Sequence, residues 1–119
     1  MALKNNTGVK RLLNACRFSW QGLRVCYRYE EAFRQEVWLL LVAVPLAIWL
    51  GETAIERVLL IGSLLVLLIV ELLNSAVEAA IDRIGSEQHP MSGRAKDMGS
   101  AAVLLAIIHV VLVWFFVLI

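Results

Sequence analysis

Five polar side chains share one face of an otherwise apolar segment. In "VELLNSAVEAAIDRIGSE" (residues 70–87), Glu71, Asn74, Ser75, Glu78 and Asp82 recur at spacings of three and four. On a helix at about 100° per residue they fall within an arc of roughly 100°, and Gly85 falls there too. The stretch directly before it, residues 58–70, carries no charge. One charge at mid-bilayer costs about 2.5–3.5 kcal/mol on insertion scales, less near the interface. Two carboxylates seven residues apart on one stripe must therefore be neutralised, hydrated, paired or metal-bound. Taken alone, Asn74 and Ser75 could join helices by hydrogen bonds, and Asp82 and Arg83 could be boundary charges. Glu71 and Glu78 point to chemistry instead: paired carboxylate oxygens suit Mg²⁺, and a carboxylate at the edge of hydrocarbon suits a general base.

The connector that follows adds complementary groups. "GSEQHPMSGRAKDMGSA" places Glu87, His89, Arg94, Lys96 and Asp97 among glycines and serines. Cations on such a connector beside buried acids suggest an anionic ligand. It contains no G-x-x-x-x-G-K-[ST] phosphate loop and no protein-kinase motif set. His89 also reads as an ordinary loop histidine, and His109 as a packed or interfacial residue.

These groups need elements to hold them, and composition says which kind. The 119 residues are 61% hydrophobic and 18% charged, with a mean hydropathy of +0.78. A soluble domain is nearer half apolar, and the low charge argues against a disordered or nucleic-acid-binding chain. Cys16 and Cys26 match no metal spacing and read as lone thiols. Residues 37–51 carry no charge; extended back through Ala32 and Phe33 they reach spanning length, with Pro45 expected to kink the helix. Spans are predicted over residues 32–51, 57–82 and 97–119, with a loop over 83–96. No cleavable signal peptide is expected, since the N-terminus is polar and basic.

Seven of the eleven lysines and arginines lie in residues 1–34 (Lys4, Lys10, Arg11, Arg17, Arg24, Arg28 and Arg34), and three more lie in the 83–96 loop. The connector between the first two spans has only Arg57. The positive-inside rule puts the N-terminus and the 83–96 loop in the cytoplasm. Residues 7–29 predict a helix lying on the membrane, with Thr7 as its cap. Lys10, Asn14, Arg17, Gln21, Arg24 and Arg28 form one stripe; Leu12, Leu13, Cys16, Trp20, Leu23 and Tyr27 lie mainly opposite. Attraction to anionic lipid accounts for most of these basic residues. Gly99, Ser100, Ala101, Ala102 and Ala106 give the third span a small-residue packing face.

"EAFRQE", "VELLNSAVEAAIDRIGSE" and "SGRAKDMGSAA" resemble the signature stretches of the bacterial diacylglycerol kinases, a family of integral-membrane lipid kinases. The similarity runs from the N-terminal helix with "SWQGLR" to the third span. It implies an all-α homotrimer with one amphipathic surface helix and three transmembrane helices per subunit, in the bacterial inner membrane. The implied reaction moves the γ-phosphoryl of MgATP to the diacylglycerol hydroxyl, giving phosphatidic acid, in membrane phospholipid recycling. Position by position, the resemblance implies Glu71 as catalytic base, and Glu30 and Glu78 as carboxylates holding Mg²⁺ with ATP. It implies Asn74 as a polar residue of the active centre. Nucleotide contacts fall to Lys96, Asp97, Glu87, His89, Arg11 and the position of Phe18. The lipid site takes Ser19, Trp20, Glu36 and Ser100, with Arg11 and Glu71. Phe18 stands where the family often has an aromatic hydroxyl, and "EQHP" replaces a stretch with Tyr and an acid, which alters the contacts expected near Phe18 and Gln88. Gram-positive relatives of the fold phosphorylate undecaprenol; the central stretch together with "SGRAKDMGSAA" is nearer the diacylglycerol branch.

Two other readings stay open from the residues alone. A small transporter or channel could use Glu71 and Glu78 as ion ligands, but it needs a lined path across the membrane, and the polar stripe covers only half of one helix. A structural membrane protein with polar helix contacts gives no reason for a basic, glycine-bearing loop beside the acids. In so short a chain, a kinase site is expected to form between subunits.

Overall fold

The computed structural model describes residues 7–85 and 88–119. They form four helices: α1 (Gly8–Tyr29), α2 (Glu31–Leu50), α3 (Ala54–Ile84) and α4 (Pro90–Leu118). α2, α3 and α4 are each long and apolar enough to cross a membrane. They run up, down and up, α3 packing against both neighbours. The start of α2, the end of α3 and the start of α4 therefore share one end of the molecule.

Each boundary has a local cause. The chain enters α1 through Gly8 at φ +58°, a left-handed conformation that glycine adopts readily. Thr7 occupies the N-cap position, but its side chain makes no capping bond; only its carbonyl serves the helix, accepting from the Arg11 amide at 3.3 Å. α3 starts earlier than the predicted 57 because Thr53 caps it: the Thr53 hydroxyl accepts from the Glu56 amide at 3.1 Å, and the Glu56 carboxylate accepts from the Glu52 amide at 3.2 Å. Arg57 reaches back from α3 and donates through Nε to the Ile48 carbonyl at 3.0 Å, closing the end of α2.

The largest departure is at α4. The loop predicted over 83–96 shrinks to a connector ending at His89, since α4 already begins at Pro90. His89 caps it, its Nδ1 accepting from the Met91 amide at 3.0 Å, and proline at the first helical position costs no hydrogen bond. Glycine, serine and proline read as loop chemistry, whereas the cap and the proline make them a helix start. Pro45 lies inside α2, which continues through it.

Little of the chain is buried within itself. The core is a single stripe of α3, Leu60, Ser63, Leu64, Leu67 and Glu71, packed against Phe33, Ala43 and Ala47 of α2, Ala106 of α4 and Cys26 of α1. Far from the shared end, the Leu60 carbonyl accepts from Ser63 Oγ at 2.8 Å and from Trp114 Nε1 at 3.2 Å, joining α3 to α4. Only 6% of the apolar window of α4 is buried, and Leu104, Leu105, Val111, Phe115 and Phe116 are exposed. Such a surface is stable only against lipid or other apolar chains.

Candidate active site

The core stripe and the polar stripe of α3 are one face. From Leu60 to Leu67 that face is apolar apart from Ser63, and Glu71 takes the next position in the same register. The chemical face of α3 is therefore also its packed face. Over its 31 residues α3 extends about 46 Å, beyond the roughly 30 Å of a hydrocarbon core. Glu71 lies buried against the neighbouring helices, before the polar end.

Glu71 is 6% exposed. Glu78 and Glu30 both lie within its electrostatic reach, as it lies within reach of Glu36. Glu30 is the single extended residue between α1 and α2, at φ −112° and ψ 109°. Asn74, one turn beyond Glu71, donates from Nδ2 to Glu78 Oε1 at 3.2 Å. Its Oδ1 is buried without a hydrogen-bond partner and lies against the backbone of α4 at Gly99, in the space a Cβ there would fill. Glu36 likewise holds Oε1 buried and unpaired. Unpaired buried oxygens are costly, and both belong to residues near Glu71 in this cluster.

Cys26 closes the cluster from α1. Burial pushes its thiol up; the hydrogen bond with Ser75 pulls the other way, and Glu30, Glu71 and Glu36 push it up further. The thiol therefore stays protonated at neutral pH and is a poor nucleophile. Cys16 is exposed, and both cysteines are free.

Two clefts flank this centre. One, of about 720 Å³, lies between the end of α3 and the start of α4 and is lined by Asp82, Gly85, Gln88, His89, Ser92 and Lys96 among others. Lys96 Nζ reaches Asp82 Oδ1 at 3.0 Å across it, both side chains being largely exposed. Asp82 is one turn beyond Glu78, so the ammonium lies at the outer end of the glutamate row. The other cleft, of about 520 Å³, is apolar in character, lined by Trp20, Leu23, Tyr27, Phe33, Val37 and Leu68 with Arg24 and Arg28. Leu68 is one turn from Glu71, which sets that cleft beside the buried carboxylate.

The hard oxygen donors at this centre fit a Mg²⁺ ion. Glu30 and Glu78 are half-buried. Among the described residues no three acidic, histidine or cysteine side chains close into a metal cage. Mg²⁺ generally takes one or two carboxylates and its other ligands from phosphate and water. Nothing softer than oxygen is offered by the carboxylate pair.

The fold thus gathers Glu30, Glu36, Glu71, Asn74 and Glu78, and sets Lys96 and His89 on the adjoining cleft and Trp20 on the apolar one. The other candidates are not among these side chains. Arg11 is fifteen residues from Cys26 along α1, about 22 Å. Phe18 is half-buried, with the Arg17 guanidinium 5.9 Å from its ring centre. Ser19, Asp97 and Ser100 are exposed. Glu87 lies outside the described residues. Four participants went unnoticed as such: Ser75 against Cys26, Gly99 against Asn74, Asp82 as partner of Lys96, and Arg34, which ties the α1–α2 corner. Ser75 and Asp82 had a signal in their place on the polar row, and Gly99 in the small-residue face of the third span.

Residues 17–118 match the family described as prokaryotic diacylglycerol kinase. The chain belongs to the prokaryotic diacylglycerol kinase family. Among similar proteins, the diacylglycerol kinase of Escherichia coli (strain K12) is 58% identical over 110 residues, covering 92% of this chain and 90% of the relative. That of Haemophilus influenzae is 50% identical over 108 residues, 91% and 92% of the two chains. That of Pseudomonas aeruginosa is 49% identical over 111 residues, 93% and 90%. The match begins at Arg17, so it includes every gathered residue but leaves out Arg11.

Proposed function

We propose that this chain is an ATP-dependent diacylglycerol kinase of the bacterial inner membrane, acting in phospholipid recycling. The observation that carries the reading is Glu71: a buried carboxylate, flanked by Glu30, Glu78 and Glu36, at the polar end of a membrane-length helix, in a chain whose relatives are named diacylglycerol kinase.

The glycerol hydroxyl of the lipid enters beside Glu71 from the apolar cleft at Trp20 and Leu68. Glu71 accepts the hydroxyl proton as the oxygen attacks the γ-phosphorus of ATP. The bond from that phosphorus to the β–γ bridging oxygen breaks, and phosphatidic acid and ADP leave. Glu30 and Glu78 would hold Mg²⁺, which when bound draws off charge developing on the phosphate oxygens. Asn74 orients Glu78 through its amide. Lys96 exchanges Asp82 for phosphate oxygens in the cleft between α3 and α4. Phosphoryl transfer asks mainly for such positioning and charge stabilisation. Within one chain Ser19, Asp97 and Ser100 are exposed, and Arg11 lies about 22 Å from Cys26 along α1. Their roles at the nucleotide and lipid sites belong, in this reading, to a homotrimer with sites between subunits. The exposed apolar surface of α4 and the sparse core support it. α1, with Leu12, Leu13, Trp20 and Leu23 exposed beside its arginines, lies on the cytoplasmic membrane surface in this account, and the α3–α4 connector faces the cytoplasm.

The test is a competition. Purified protein in detergent micelles receives ATP labelled in the γ-position with ³²P, together with diacylglycerol and undecaprenol. Label is expected in phosphatidic acid. Label mainly in undecaprenyl phosphate assigns the other branch of the fold, and label in neither lipid rejects the kinase reading.

A further inference from the structure

The corner between α1 and α2 turns on one residue. Glu30 alone is extended between the two helices. Its amide still donates to the Cys26 carbonyl at 2.9 Å, and the ladder resumes where the Arg34 amide donates to the Glu30 carbonyl at 3.2 Å. The break leaves the carbonyls of Tyr27 and Arg28 without the amide four residues on. One group takes both: Arg34 Nη1 donates to the Tyr27 carbonyl and to the Arg28 carbonyl, each at 2.8 Å. The last carbonyls of a helix form the negative end of its dipole, and a cation there is favoured by charge as well as by hydrogen bonding. Arg34 sits in the first turn of α2, so its side chain bolts the end of one helix to the start of the next across Glu30.

We propose that Arg34 is a positioning residue of the phosphoryl-transfer site, holding the corner at the angle that brings the Glu30 carboxylate to the Glu71–Glu78 face. The inference rests on the reading of Glu30 as a Mg²⁺ ligand. Without the guanidinium, two carbonyls stand unpaired. They recover partners most directly if α1 runs on into α2 as one helix or if the last turn of α1 frays. Either change swings Glu30 off the face of α3 and draws Cys26 away from Ser75. Arg34 touches neither substrate nor metal in this scheme.

The experiment compares the purified full chain with R34K, R34Q, E30Q and the R34Q/E30Q double variant. Mn²⁺ binding is read by EPR with a non-hydrolysable ATP analogue present, beside the Mg²⁺ dependence of turnover and far-UV circular dichroism. R34Q is expected to weaken Mn²⁺ binding about tenfold or more, as loss of outer support for a metal ligand does, with helix content retained. R34K, a point charge that cannot match the guanidinium's geometry, is expected to weaken it about threefold. E30Q weakens binding by itself, and R34Q adds nothing on top of it. The proposal is overturned if R34Q lowers turnover with Mn²⁺ binding unchanged, or if its full effect persists in the E30Q background. Should R34Q fail to fold, R34K decides, and wild-type Mn²⁺ binding in R34K overturns the proposal. If E30Q itself binds Mn²⁺ normally, the metal role of Glu30 is wrong and the proposal falls with it. Weak binding in E30Q with normal binding in R34Q sinks Arg34 alone.

Discussion

Gly99→Ala is the substitution whose effect follows most directly from the packing. Alanine is the better helix former by about 0.8–1.0 kcal/mol, so by propensity alone the change should stabilise α4. At this position, however, the new methyl would occupy the space of Asn74 Oδ1. The neighbour that must move is the amide that donates to Glu78 at 3.2 Å. A hydrogen bond to a charged group contributes about 1.5–3 kcal/mol, and each 1.4 kcal/mol is a factor of ten. If that bond is needed to hold Glu78 in the transition state, G99A should lose about 10- to 100-fold in kcat while the helices remain folded. The same logic fixes the double variant. N74A alone should lose activity to a similar extent, and adding G99A should then cost nothing more and stabilise the fold slightly. Phosphoryl transfer from labelled ATP and thermal melts in detergent read both quantities. Activity of G99A within twofold of wild type, or full multiplicative loss in N74A/G99A, would refute the claim that Gly99 acts through Asn74.

Glu78→Gln should raise the Mg²⁺ concentration for half-maximal turnover; an unchanged titration would reject Glu78 as a metal ligand. Maleimide at neutral pH should label Cys16 and spare Cys26. The sign follows from burial: a thiol pushed up has less thiolate at any given pH, so raising the pH should bring Cys26 into reaction only after Cys16. Labelling of Cys26 first would mean that the α1–α3 contact is open.

The spans were legible because charge-free runs of membrane length have few other uses, and three such helices stand where those runs lie. Glu71, Asn74 and Glu78 were legible for the same reason, as polar residues that an apolar helix must have cause to keep. Boundaries set by capping were not. His89, Pro90 and the serines and glycines after them have loop propensities, and only the His89 bond to the Met91 amide turns them into the first turns of α4. The corner at Glu30 was equally hidden, since its stabilisation comes from an arginine four residues ahead that counted only toward the basic N-terminal side. Nor could periodicity show that the polar stripe continues the core stripe, because the partners of Leu60, Leu64 and Leu67 lie on other helices. Gly99 read as a small packing residue; that it makes room for the Asn74 amide is a tertiary fact.

The central claim is that Glu71 takes the proton from the lipid hydroxyl rather than holding nucleotide or metal. The direct test is Glu71→Gln, an isosteric change at a buried position, measured for nucleotide binding and for single-turnover transfer to diacylglycerol. General-base catalysis contributes about 10²–10⁴-fold. The account predicts loss of at least that order in transfer, with MgATP binding within a few-fold of wild type. Loss of binding in step with transfer, or transfer at near wild-type rate, would contradict it.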